Sequence, residues 1–181
     1  MTARAVLRAA TAADHERVDQ LFSTLDLARE ADYRLFLTAQ AAAHLPTEEA
    51  IEAAGARALL ADWPERRRSH LLKADLADLG AQLPSSMEPP ALPDAASIFG
   101  AIYVLEGSRL GGALLKREVP AGLPKRFLNA EQAPGAWRKL LAKLDEFVYA
   151  PEHLDAATNA ARQVFMRFER AGRLYLETAQ T

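Results

Sequence analysis

The chain has 181 residues, enough for one domain with a substantial core, and its formal net charge of −2 gives no electrostatic case for nucleic acid or an anionic membrane surface. Half the residues are hydrophobic and a quarter charged, with Ala, Leu, Arg and Glu prominent, which is the balance of a mainly helical protein. There is no cysteine, so disulfides, iron–sulfur clusters, thiolate ligation and cysteine nucleophiles are excluded.

The segment "MTARAVLRAATAADHERVD" has no uninterrupted apolar core of the signal-peptide kind, and no window approaches 18 apolar residues. A cytoplasmic location without membrane attachment is expected. Leu7, Ala10, Val18, Leu21, Phe22 and Leu25 make an apolar stripe at helical spacing, so a helix is expected over residues 4–25, re-capped at Thr11, where "TAAD" has the Ser/Thr-x-x-acid form. A second helix is expected over 29–44, ending at Pro46, and a third opening at Thr47 as cap. Pro64 opens another in "PERRRSHLLKADLADLG", stopped by Gly80. "AQLPSSMEPPALP" reads as a proline-rich loop, after which Asp94 or Ser97 can cap a helix that dies near Pro120. "AGLPKRFLNAEQAPG" reads as loop or broken turn, and "AWRKLLAKLDEFVY" and "LDAATNAARQVFMRFERAGRLYLET" as two last helices. With no alternating strand pattern and no internal repeat, the expected architecture is a single all-α domain, residues 1–181, of about seven helices.

"YVLEGSRLGGALLKREV" has the frame of a helix yet carries three interior glycines, each costing about 0.8–1 kcal/mol relative to Ala. At 100° per residue, Gly100, Gly107 and Gly111 fall within about 40° of one another, a stripe without side chains, with the small hydroxyl of Ser108 beside it. Such a stripe lets another helix approach closely, or admits a flat, rigid ligand that touches backbone. Of four histidines, His44, His70 and His153 read most simply as solvated residues. His15 lies mid-helix at the border of the apolar stripe, with Arg8 seven residues earlier, about 10 Å along the same flank. A porphyrin lying against such a helix would put its iron near the imidazole and its carboxylates near the guanidinium. Asp19, one turn later, can fix the imidazole's orientation.

On these residues the chain resembles the heme oxygenase family, in particular the bacterial biliverdin-producing type associated with bacteriophytochromes. "LRAATAADHERVD" resembles the proximal helix, with Arg8, Thr11 and the iron-ligating His15 at the family's spacing. "YVLEGSRLGG" resembles the distal helix, running from Tyr103 through Gly107 and Gly111 against the heme. "ARQVFMRF" resembles the later helix that gives a basic residue to a propionate, here Arg162, and an aromatic wall, here Phe165 or Phe168. The resemblance implies a heme oxygenase-like fold with heme between the proximal and the glycine-rich distal helix. It also implies oxidative opening of heme to biliverdin, iron and carbon monoxide, with molecular oxygen and an external donor such as ferredoxin or a reductase. Gly107 and Gly111 would lean oxygen toward a porphyrin edge, Ser108 would work through ordered water, and Arg8 and Arg162 would set which edge is opened. Many family members have Asp where this chain has Ser108, so a heme carrier or gas sensor on the same scaffold is the second reading. A helical domain whose glycines serve packing is the third.

Overall fold

Thr2 closes the first turn of α1 (Ala3–Phe22) by accepting the Ala5 N–H at 3.3 Å, and Asp145 accepts the Ala3 N–H at 3.0 Å. In this computed structural model, which describes residues 2–178, the expected cap at Thr11 does not form. Thr11 sits inside α1, 3% exposed, and its hydroxyl donates to the Leu7 carbonyl at 2.8 Å. The two helices expected on either side of Pro46 are one, α2 (Glu30–Ala53). Pro46 has no N–H to give the Ala42 carbonyl, and that carbonyl instead accepts the Met87 N–H at 3.4 Å from the proline-rich loop. Thr47 is likewise no cap; it donates to the Ala43 carbonyl at 2.7 Å.

Two single turns follow, α3 (Ala56–Leu59) and α4 (Trp63–Arg66), before α5 (Ser69–Asp78). The sequence pattern predicts one helix from Pro64, but the Glu48 carboxylate of α2 accepts the Arg68 and Ser69 N–H groups at 2.8 and 3.1 Å, which starts α5 afresh. Gly80, at φ 64°, ends α5 in the left-handed turn that favours glycine. The 81–93 loop is tied down by Arg167, which donates to the Glu88 and Pro89 carbonyls at 2.7 and 2.8 Å. Asp94 opens α6 (Ala95–Leu115) with a capping box completed by Ser97. The one-turn α7 (Arg126–Asn129), α8 (Ala136–Phe147) and α9 (Pro151–Thr178) complete the chain, and no strand occurs among the described residues.

The long α9 is the centre of the packing. Its buried Ala157, Ala160, Ala161 and Ala171 leave room for α1, α2 and α6 to lie close against it. At Gly100 the approach of α6 is closest: a Cβ there would lie 2.1 Å from the Ala157 carbonyl oxygen. A second apolar cluster joins α2, α5 and α7 through Tyr33, Phe36, Leu37, Leu72, Leu76 and Phe127. By length and composition α6 could cross a membrane, but 56% of that stretch is buried inside the protein and it serves as a core helix. Helices α1 and α6 both rest on α9 and hardly touch each other. The two therefore stand side by side on α9.

Candidate functional site

The amphipathic pattern of α1 turns Leu7 and Thr11 inward and leaves Arg8 and His15 outward, on one flank. The His15 side chain is 62% exposed, its Nδ1 lies 3.4 Å from Asp19 Oδ2, and its ring meets the edge of Phe165 at 5.8 Å between centroids. Carboxylate on one ring nitrogen and aromatic packing on the ring leave Nε2 as the nitrogen available to a metal. Arg8 stands at the rim of an open concavity of about 520 Å³ that it lines with Thr2, Arg4 and three alanines of α1.

Beside α1 on α9, α6 carries Tyr103, Gly107 and Gly111. Burial pushes the Tyr103 hydroxyl up, and Arg4 and Arg8, close enough to act on it, pull it back down. The ring of Tyr103 leans on Trp137 of α8 at 5.7 Å. The three glycines of the stripe separate here. Gly100 is filled by α9, whereas a Cβ at Gly107 would meet only Trp137, at 3.8 Å, and one at Gly111 would meet nothing within 4 Å. Packing therefore explains Gly100 and does not explain the other two. Leu110 and Leu114, 57% and 64% exposed, extend the apolar strip on the same side of α6. A surface with an exposed imidazole on one helix and a bare, apolar stretch on the other suits a flat, hydrophobic, metal-bearing disc such as heme.

Behind this face lies a dense polar layer. Arg66 donates to Glu106 at 2.9 Å, Arg109 donates to Glu106 at 2.9 Å and to the Arg66 carbonyl, and Gln132 donates to Glu106 at 3.0 Å. Glu106 is thus committed to holding α6 in place. Arg68 Nη2 donates at 2.8 Å to both the Leu105 carbonyl and Ser108 Oγ, and Ser108 Oγ donates to the Leu105 carbonyl at 2.6 Å. Burial, then the like charge of Arg109, pushes Arg68 down to about 9, so it stays cationic at neutral pH. His44, which reads in sequence as solvated, is 1% exposed and 3.0 Å from the Glu48 carboxylate. Burial alone would raise Glu48, but His44 and the Arg68 N–H outweigh it and hold the carboxyl well below the usual range. Burial keeps His44 itself on the neutral side of its ordinary value.

The expected site residues separate accordingly. His15 and Arg8 share the exposed flank of α1, Gly107 and Gly111 lie on the open stretch of α6, and Tyr103 of α6 is near enough to Arg4 and Arg8 to feel their charge. Thr11 is buried with its hydroxyl bonded to Leu7, so it offers a ligand no donor. Arg162 donates at 3.2 and 2.9 Å to the Ala10 carbonyl and lies 3.7 Å from Asp14, about 140° around α1 from the Arg8 flank, where it clamps α9 to α1. Phe168 is a core residue at 6% exposure, and Phe165, three residues earlier, is the aromatic beside His15. Trp137 and Arg68 carried no signal in the sequence: the first is one of two aromatics on an amphipathic helix, the second the last of a basic run.

No family model matches the chain. A heme oxygenase from Xanthomonas campestris pv. campestris is 32% identical over 112 residues, which cover 59% of this chain and 67% of that protein. This chain belongs to the heme oxygenase family. Solved structures agree on the fold: a heme oxygenase from Neisseria meningitidis, determined with NO and CO bound, superposes with a TM-score of 0.84 over 98% of this chain and 93% of its own at 24% identity. One from Leptospira interrogans gives 0.71 over 95% and 98% at 19% identity. The all-α expectation holds, and the fold is that of the heme oxygenases.

Proposed function

We propose that this heme oxygenase binds heme in a cleft between α1 and α6 and opens it oxidatively to biliverdin, iron and carbon monoxide, with molecular oxygen and an external cytoplasmic reductant such as ferredoxin or a reductase. The observation that carries the assignment of the site is the pair Gly107 and Gly111, where helix propensity is given up although a Cβ would meet only the tip of Trp137 at the first and nothing at the second. Heme, as substrate and cofactor, supplies the redox chemistry at its iron. His15 Nε2 would hold the iron, with Asp19 on Nδ1 and Phe165 against the ring limiting its rotation. Tyr103, Trp137, Leu110 and Leu114 offer the apolar contact that orients a disc, and the absence of side chains at Gly107 and Gly111 brings backbone to its face. Arg8, at the open end, suits a propionate. Ser108 holds water at the distal turn. Residues 1–181 act as one heme oxygenase-like domain, and the "EGS" of Glu106, Gly107 and Ser108 supports the phytochrome-associated, biliverdin-producing type.

Absorbance spectroscopy of the heme-loaded protein under ascorbate or a reductase tests this. Loss of the Soret band with growth of a biliverdin band is the expected result. A Soret band that survives reductant and oxygen would make the chain a heme carrier or sensor, a reading favoured by the commitment of the Ser108 proton to Leu105.

A further inference from the structure

We propose that Arg68 is a positioning residue that fixes the polarity of the Ser108 hydroxyl, so that Ser108 meets the cleft only as a hydrogen-bond acceptor. The inference deepens the heme-cleft reading and rests on it. A serine hydroxyl has one proton and two lone pairs. Arg68 Nη2 sits 2.8 Å from Ser108 Oγ and can only donate, so the serine proton is turned away from it and goes to the Leu105 carbonyl at 2.6 Å. One lone pair takes the Arg68 N–H, and because Ser108 is itself exposed the other stays open to whatever reaches that turn of α6. Anything in the cleft that bonds Ser108, a water above all, must then donate to it and keeps its second hydrogen for its neighbour. Without Arg68 the hydroxyl can swing and donate outward, reversing the sense of that chain.

The surroundings hold Arg68 to this task. It is 3% exposed and lies over the Phe127 ring at 4.6 Å, with its backbone N–H on Glu48. Its guanidinium forms no ion pair among the described residues and spends its Nη2 on Leu105 and Ser108 instead. A buried cation without a contacting carboxylate is costly, and a leucine or methionine would pack there at lower cost. A pure packing role therefore accounts poorly for an arginine.

The test is a double-mutant cycle of Ser108→Ala, Arg68→Met and their combination in the heme-loaded chain, with Arg68→Lys as the conservative variant. The first readout is the single-turnover rate of biliverdin formation. The second is the pH midpoint of the ferric-heme alkaline transition, which needs no turnover. Arg68→Met is expected to slow turnover about tenfold, the effect of one hydrogen bond to a charged group, and to add no further loss on top of Ser108→Ala. Ser108→Ala is expected to move the midpoint to lower pH, because an acceptor favours water over the poorer donor hydroxide. Arg68→Met also removes a buried positive charge, which raises the midpoint, so its expected mark is a shift that differs between the native and Ser108→Ala backgrounds. Arg68→Lys is expected to retain more of the rate than Arg68→Met. Should Arg68→Met fail to fold, Arg68→Lys takes its place, with a smaller loss that again vanishes on top of Ser108→Ala. Equal losses in both backgrounds, a midpoint shift by Arg68→Met that is the same with and without the Ser108 hydroxyl, or failure of both Arg68 variants to fold would overturn the proposal. A chain that binds heme without forming biliverdin defeats the enzymatic reading while the midpoint still judges Arg68. A chain that binds no heme overturns both.

Discussion

His15 Nδ1 lies 3.4 Å from Asp19 Oδ2, one helical turn along the same exposed flank of α1. A carboxylate on that side favours the tautomer with its proton on Nδ1 and leaves the Nε2 lone pair free, the form a ferric or ferrous iron needs. Asp19→Asn is therefore expected to keep heme bound but to weaken it by about tenfold and to shift the axial-ligand bands, as changes behind a metal ligand do. Titration of heme into the two proteins, followed by absorbance, checks this. Identical affinities and spectra would detach Asp19 from the imidazole.

The glycines make a contrast within one helix. Gly100→Ala puts a Cβ against the Ala157 carbonyl and should cost about 3 kcal/mol or more of stability, because backbone on both sides must move. Gly111→Ala meets nothing and should gain up to about 1 kcal/mol of helix propensity while weakening heme binding. Denaturant unfolding of the apo proteins and heme titration separate the two effects. A destabilised apo Gly111→Ala would return that position to helix packing.

Arg8 and Arg162 are now distinguishable. Arg8→Ala should change the ratio of biliverdin isomers, with heme affinity falling by about 1 kcal/mol at most, since an exposed ion pair contributes little. Arg162→Ala, which removes a clamp on the Ala10 carbonyl, should leave the isomer ratio unchanged. Chromatography of the products decides between them, and a ratio altered by Arg162→Ala alone would exchange their roles.

His44 gives the fold an acid sensitivity. Burial, opposed by Glu48 and assisted by Arg68, lowers its folded-state proton affinity. The unfolded chain takes up that proton near the ordinary histidine value of about 6.5 while the folded one resists. The His44 contribution to stability is present above that pH and lost as pH falls toward the lowered folded value, by at most about 1.4 kcal/mol per unit. Glu48, also lowered, extends the loss into the carboxylate range. His44→Gln should flatten the stability profile between about pH 6.5 and 5, measured by urea unfolding at stepped pH. An unchanged slope would mean that another group carries the proton uptake.

Much of the helical framework was legible because apolar residues recur at helical spacing and Asp94 and Gly80 carry their own cap and stop chemistry. Pro46 misled because the bond it forfeits is replaced from a distant loop, by Met87 on the Ala42 carbonyl, and nothing local records that. The break before Ser69 was hidden for the same reason, since Glu48 is 20 and 21 residues away from the N–H groups it accepts. The shared exposed flank of Arg8 and His15 on α1, and the common side of Gly107 and Gly111 on α6, follow from helical periodicity and were legible. Arg162 and Phe168 could not be placed, because spacing along α9 does not say which neighbour each flank meets. The inward turn of Arg66 and Arg68 is a tertiary fact that a basic run on paper conceals.

The heme complex itself decides the central claim. A crystal structure of the heme-loaded protein should show His15 Nε2 bonded to iron, with the opposite face of the porphyrin against the backbone at Gly107 and Gly111. Iron held by another residue, or a porphyrin bound outside the α1–α6 cleft, would contradict it.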